Sequence, residues 1–128
     1  MTVAIICVAL LGLLLFGLGM LVSAARGPAR AGAYPTDPAD TLFKRMRAHG
    51  NTAEYAPMMA ILMLLIGERY PATWALWVMG LAVASRYLFA AGVLLSSTLE
   101  KSNPLRFAGA VGTYLTGFLL CIAAFMCL

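Results

Sequence analysis

The stretch Arg45-Met46-Arg47-Ala48-His49-Gly50-Asn51-Thr52-Ala53-Glu54-Tyr55-Ala56-Pro57 decides how the chain is read. It sets two arginines, a histidine, an asparagine and a glutamate directly before residues 58–66, a run with no polar side chain. Polar and ionisable groups are costly inside a bilayer, and those that enter one usually mark function.

The rest of the 128-residue chain has the composition of a protein dissolved in lipid. It is 62% hydrophobic and 11% charged, with a mean hydropathy of +0.90. A water-soluble domain carries about 25% charge. The net charge is +4, but no basic stripe interleaves with aromatics, so nucleic acid is not an expected partner. Cys7, Cys121 and Cys127 lie in apolar runs, without a CxxC pair or a neighbouring histidine. They read as packed free thiols, and no metal site is expected. The first apolar run, residues 3–25, is too long for the core of a signal peptide and long enough to span.

Helices are expected at roughly 2–25, 40–67, 72–96 and 104–127, separated by short breaks, which predicts an all-α membrane protein. The whole chain, 1–128, then forms one domain, a four-transmembrane-helix up-down bundle. Gly27, Pro28, Gly32, Pro35 and Pro38 break the first loop, and Glu68-Arg69-Tyr70-Pro71 makes a tight turn. Asp37 before Pro38 predicts the cap of the second helix, and Pro57 within that helix predicts a bend. Gly12, Gly17, Gly19, Gly109, Gly112 and Gly117 are small residues of the kind that let membrane helices approach closely. Trp74 and Trp77 suit the interfacial belt.

Basic residues set the orientation. Arg26, Arg30, Lys44, Arg45 and Arg47 flank the first loop, Lys101 and Arg106 the third, and the opposite face has only Arg69. The positive-inside rule puts loops one and three in the cytoplasm and both termini outside. Alanine, glycine and arginine usage with compact loops suggests a bacterial inner membrane.

On the second helix, Arg47, Asn51, Glu54 and Met58 fall on one narrow stripe at about 100° per residue, flanked by Lys44 and Tyr55, while His49 projects near the opposite face. Such a stripe suits a zwitterionic, carboxylate-bearing ligand arriving from the cytoplasm. Depth along the helices predicts a Glu54–Arg86 contact, because an unpaired carboxylate there would be very unfavourable or take up a proton. Alone, that pair would pin two helices in register. Arg47 and Asn51 on the same stripe, with Arg26 and Arg106 ending neighbouring helices, turn it into an anion site.

Arg47-Ala48-His49-x-Asn51-x-x-Glu54-x-x-Pro57 resembles the signature of the MAPEG family, the membrane-associated proteins of eicosanoid and glutathione metabolism. His49-Gly50-Asn51-x-x-Glu54-Tyr55-x-Pro57 looks closest to small bacterial members. The resemblance implies a homotrimer of four-helix protomers, with glutathione as co-substrate bound between neighbours near the cytoplasmic side. It implies glutathione contacts from Arg26, Arg47, Asn51, Glu54, Tyr55 and Arg86. Arg106 resembles the arginine that opens the fourth helix and holds the glutathione thiolate. The chain departs from the pattern at Phe89, where active members carry Tyr or His, and at Val93, where a tyrosine is common.

The implied chemistry needs no metal or flavin. A thiol with pKa near about 8.5 is mostly protonated at neutral pH, and a guanidinium within bonding reach favours its thiolate. That thiolate attacks a lipophilic electrophile delivered from the membrane, in a transferase or peroxidase reaction. Phe89 and Val93 favour an alternative, a non-catalytic protein of the same fold that holds a lipid or glutathione-like ligand. A proton-coupled exporter of cations ranks below both, because the first helix has no acidic residue and the cluster is cationic.

Overall fold

The computed structural model describes residues 1–27, 32, 34–69 and 71–127. Pro28, Arg30 and Tyr70 lie outside the described residues. Among the described residues four helices follow one another: α1 (Thr2–Arg26), α2 (Thr41–Glu68), α3 (Thr73–Leu94) and α4 (Pro104–Phe125). No strand occurs among the described residues. Helices α1, α3 and α4 are long and apolar enough to cross a membrane. The polar residues through its first half keep α2 below that level, although it packs within the same bundle.

Local chemistry sets the helix ends. Helix α1 stops at Gly27, whose φ of 51° lies in a region that side chains with a Cβ rarely adopt. The cap of α2 is Asp40, not the expected Asp37. Asp40 Oδ1 accepts from the backbone N–H groups of Leu42 (2.7 Å) and Phe43 (3.1 Å). Asp37 instead folds the preceding turn: its side chain accepts from Ala39 N and its carbonyl from Asp40 N. Both aspartates are competent caps, and the turn through Pro38 hands that role to the second. Helix α2 then runs through Pro57 to Glu68 without a break. Asn103 caps α4 by accepting from Arg106 N, with Pro104 in the first turn where a missing N–H costs nothing.

The core has two parts. A larger cluster takes Cys7 and Leu11 from α1, Met59, Met63 and Ile66 from α2, Val78, Met79 and Ala82 from α3, and Leu120 from α4. A smaller one, near loops one and three, joins Leu14, Leu18, Ala48, Ala90 and Val93. Those loops meet at one end of the bundle, where Leu99 N donates to Pro38 O at 3.1 Å. Trp74 and Trp77 are exposed at the start of α3, and the three cysteines are free.

Helices α3 and α4 make the closest pair, and glycine allows it. A methyl group built at Gly92 would collide with the Arg106 backbone, one at Gly109 with Phe89 N, and one at Gly112 with Ser85 Oγ. This contact brings Arg86, Phe89 and Val93 of α3 alongside Arg106 and Thr113 of α4. Gly109→Ala should therefore force the helices apart and lower stability by about 1–3 kcal/mol. Gly12→Ala, with nothing within 4 Å of the added carbon, should leave thermal unfolding in detergent unchanged or slightly raised.

Candidate functional site

Arg86 is the centre of the site. It sits in the middle of α3, only 1% exposed. Nη2 donates to Asn51 Oδ1 at 2.8 Å and to Thr52 Oγ1 at 3.3 Å, and Nη1 donates to Thr113 Oγ1 at 3.2 Å. The guanidinium carbon lies 5.3 Å from the centre of the Tyr55 ring and 5.0 Å from that of Phe89, within cation–π range. Among the described residues, buried Nε has no hydrogen-bond partner. Every partner is neutral, so the positive charge is solvated without being balanced.

The expected Glu54–Arg86 contact is not formed. Glu54 is exposed and acts on Arg86 only at longer range. The reason is depth along the helices. Helix α3 ends at Leu94, not near residue 96, which leaves Arg86 about 12 Å from that end. Asn51 lies about 15 Å into α2 and matches this depth, whereas Glu54 lies about 20 Å in.

Asn51 gains a defined direction from its partner. An arginine can only donate, so the amide oxygen must face Arg86, and the two N–H donors of Asn51 remain for other groups. Asn51 also lines a cavity of about 650 Å³, with Arg47, Phe43, Phe89, Val93, Glu100 and Arg106. That volume falls in the usual range of small-ligand sites. Pro38 and the loop from Leu99 to Asn103 close its end.

The expected stripe on α2 is thus divided. Arg47 and Asn51 face this cavity, while Glu54, Tyr55 and Met58 line a second one of about 310 Å³ between α2 and α4. Arg86 stands at the partition, since Asn51 belongs to the first cavity and Tyr55 and Thr113 to the second. Arg26 lies elsewhere, with His49 and Ser23 in a cavity between α1 and α2 that shares no lining residue with the first. Its cavity is therefore not the one that Arg47 and Arg106 line. His49 packs on α1, where a methyl at Gly19 would lie 3.3 Å from its Nε2.

Several basic residues hold the scaffold. Lys44 Nζ donates to Ser96 O at 3.0 Å, and Arg45 Nη1 to Leu21 O at 3.0 Å, so both tie α2 to its neighbours. Arg106 turns its guanidinium onto the third loop, donating to Leu99 O (3.1 Å) and Lys101 O (2.9 Å), while still lining the first cavity. Three of its five N–H donors remain uncommitted.

Sequence reasoning missed Thr52, Thr113 and Tyr114. The Tyr114 hydroxyl shares a 3.0 Å hydrogen bond with that of Tyr55, and the rings meet edge to face at 5.7 Å. A signal existed for Thr113: it lies seven residues after Arg106, about 20° away on the same helix face. Among the described residues, no group of His, Cys, Asp and Glu could hold a metal ion.

Comparison with known protein families matches residues 4–126 to the MAPEG family. The chain belongs to the MAPEG family. Membership covers nearly the whole chain, and it carries, in general terms, a membrane function in glutathione or eicosanoid metabolism. No curated protein and no solved structure matches it. Asn51, the residue through which Arg86 reaches the first cavity, lies within the matched range.

Asn51→Leu would leave Arg86 Nη2 with Thr52 alone inside an apolar bundle. It should lower stability by about 1–3 kcal/mol. Ser23→Ala, on an exposed hydroxyl that bonds Gly19 O, should be close to neutral in the same detergent unfolding assay.

Proposed function

We propose that this protein is a glutathione-dependent membrane transferase or peroxidase acting on lipophilic electrophiles. The observation that carries the reading is Arg86: a buried cation with neutral partners only, presenting Asn51 to a cavity flanked by Arg47 and Arg106. A low-dielectric site with unbalanced positive charge favours an anionic ligand. The residues fit glutathione, which has carboxylates for the arginines and peptide carbonyls for the Asn51 amide donors. When bound, glutathione would supply the thiol nucleophile.

In this reading each residue has a task. Arg47 holds a carboxylate at the cavity mouth. Asn51, oriented by Arg86, donates to a peptide or carboxylate oxygen. Arg106 offers its uncommitted donors to the sulfur and favours the thiolate. Glu54 and Tyr55, in the neighbouring cavity, bear on the end of the peptide that reaches past Arg86. The lipophilic partner would arrive from the membrane.

Arg26 enters only if a second copy supplies it, because it lines a cavity on the α1 side of α2. Membership in a family that is generally trimeric supports a homotrimer with the site between protomers. The charge asymmetry of the loops supports a bacterial inner-membrane protein with loops one and three cytoplasmic and both termini outside.

A second reading is a non-catalytic MAPEG-fold protein that binds a lipid or glutathione-like ligand. Two observations favour it: Phe89 and Val93 are apolar at the cavity wall, and two donors of Arg106 are engaged with loop carbonyls. Titrating purified protein with glutathione, while following thiolate absorbance and conjugation of a chlorinated nitrobenzene, separates the two. Thiolate formation with turnover is expected; binding without either would support the second reading. Arg47→Ala should weaken glutathione binding by about tenfold, the loss expected for one charge-assisted hydrogen bond. Arg106→Ala should abolish the thiolate signal while binding persists.

A further inference from the structure

Beyond Arg106, helix α4 carries hydroxyls at Thr113, Tyr114 and Thr116, and two of them are spent on their own helix. Thr113 Oγ1 donates to Gly109 O and Thr116 Oγ1 to Gly112 O, both at 2.7 Å. The Tyr114 hydroxyl instead crosses to α2 and meets the Tyr55 hydroxyl at 3.0 Å. The two rings stand edge to face, 83° apart in plane.

A hydroxyl among acyl chains is costly without a partner, and this bond meets that need for one proton. The pair has two. Each phenol offers one O–H, so whichever ring donates to the other, a second proton is left over. It is left at a cavity and not in the core. Tyr55 and Tyr114 both line the cavity of about 310 Å³ between α2 and α4, together with Glu54 and Thr113, and Tyr114 is 54% exposed. A pair that served only to tie α2 to α4 would gain nothing from an open donor.

Arg86 decides which ring keeps that donor. Among the described residues its guanidinium lies over the rings of Tyr55 and Phe89, and not over that of Tyr114. In apolar surroundings the field of a cation polarises the nearer hydroxyl more, which makes Tyr55 the stronger donor to an anion. Tyr114 is then the ring that donates within the pair. A hydroxyl that accepts one hydrogen bond also donates a stronger one.

We infer that Tyr114 is a positioning residue for Tyr55. It donates to the Tyr55 hydroxyl, steadies that ring through the edge contact, and turns the Tyr55 proton toward an acceptor oxygen of an anionic peptide in the second cavity. The inference rests on the glutathione reading and extends it to a residue of α4.

The test titrates the full-length protein in detergent with glutathione by calorimetry, as wild type, Tyr55→Phe, Tyr114→Phe and the double variant. Phenylalanine keeps each ring and its edge contact, and thermal unfolding reports that the fold is kept. Both single variants break the same bond between helices, so a purely structural pair would lower the unfolding temperature in both and leave affinity unchanged. Tyr55→Phe should weaken binding about tenfold and Tyr114→Phe about fivefold, as for a hydrogen bond lost and one misdirected. The double variant should bind no more weakly than Tyr55→Phe, because Tyr114 acts only through Tyr55. Wild-type affinity in either single variant overturns the inference while the glutathione reading stands. A double variant whose loss is the product of the two single losses also overturns it, since Tyr114 would then be a separate contact. If wild type does not bind glutathione, that reading itself fails and the role of Tyr114 fails with it.

Discussion

One unbalanced charge governs this structure. Arg86 is buried in the middle of a bundle that lipid surrounds, and its bonding partners are an amide and two hydroxyls. Neutral dipoles solvate a guanidinium without cancelling its field. In an apolar surrounding, that field reaches farther than it would in water. The fold thus keeps a standing potential that favours negative charge close by. A merely structural arginine at this depth would be expected to have a carboxylate partner, because a buried cation is otherwise expensive to keep. Here the nearest candidate, Glu54, is turned to a separate cavity.

The helix packing makes this arrangement possible. Glycines 92 and 109 let α3 and α4 approach until backbone meets backbone, and Gly112 makes room for the Ser85 side chain, which brings Thr113 within reach of Arg86 and sets Arg106 beside Phe89 and Val93. Helix α2 closes the third side with Asn51 and Thr52. Its other face packs His49 onto Gly19 of α1. The helix therefore separates two regions, one with Arg47 and Arg106 and the other with Arg26. The cavity lined by Arg47 and Arg106 and the one lined by Arg26 share no residue.

Much of this was legible in the residues. Four apolar runs with Gly- and Pro-rich breaks read directly as four helices, and the spacing from Arg47 to Pro57 pointed to the family. What could not be read depended on tertiary reach. Asp37 and Asp40 are equally good caps, and only the turn through Pro38 distinguishes them. Asn51 and Glu54 differ by less than one helical turn, so a two-residue difference in where α3 ends changed the partner of Arg86. Lys44, Arg45 and Arg47 look alike in sequence, yet the first two bond to backbone carbonyls of neighbouring helices while the third faces a cavity. Thr113 and Tyr114 were hidden because single polar residues in an apolar helix look like packing.

The central claim is that Arg86 is kept for an anion and not for the fold. Arg86→Met tests it most directly, since methionine fills much of the same space without the charge. Removing a buried charge that no counter-ion balances relieves its desolvation cost. The account predicts that the variant unfolds at or above the wild-type temperature in detergent, while calorimetric titration finds glutathione affinity reduced by more than tenfold. A folded Arg86→Met protein that binds glutathione as tightly as wild type would contradict it.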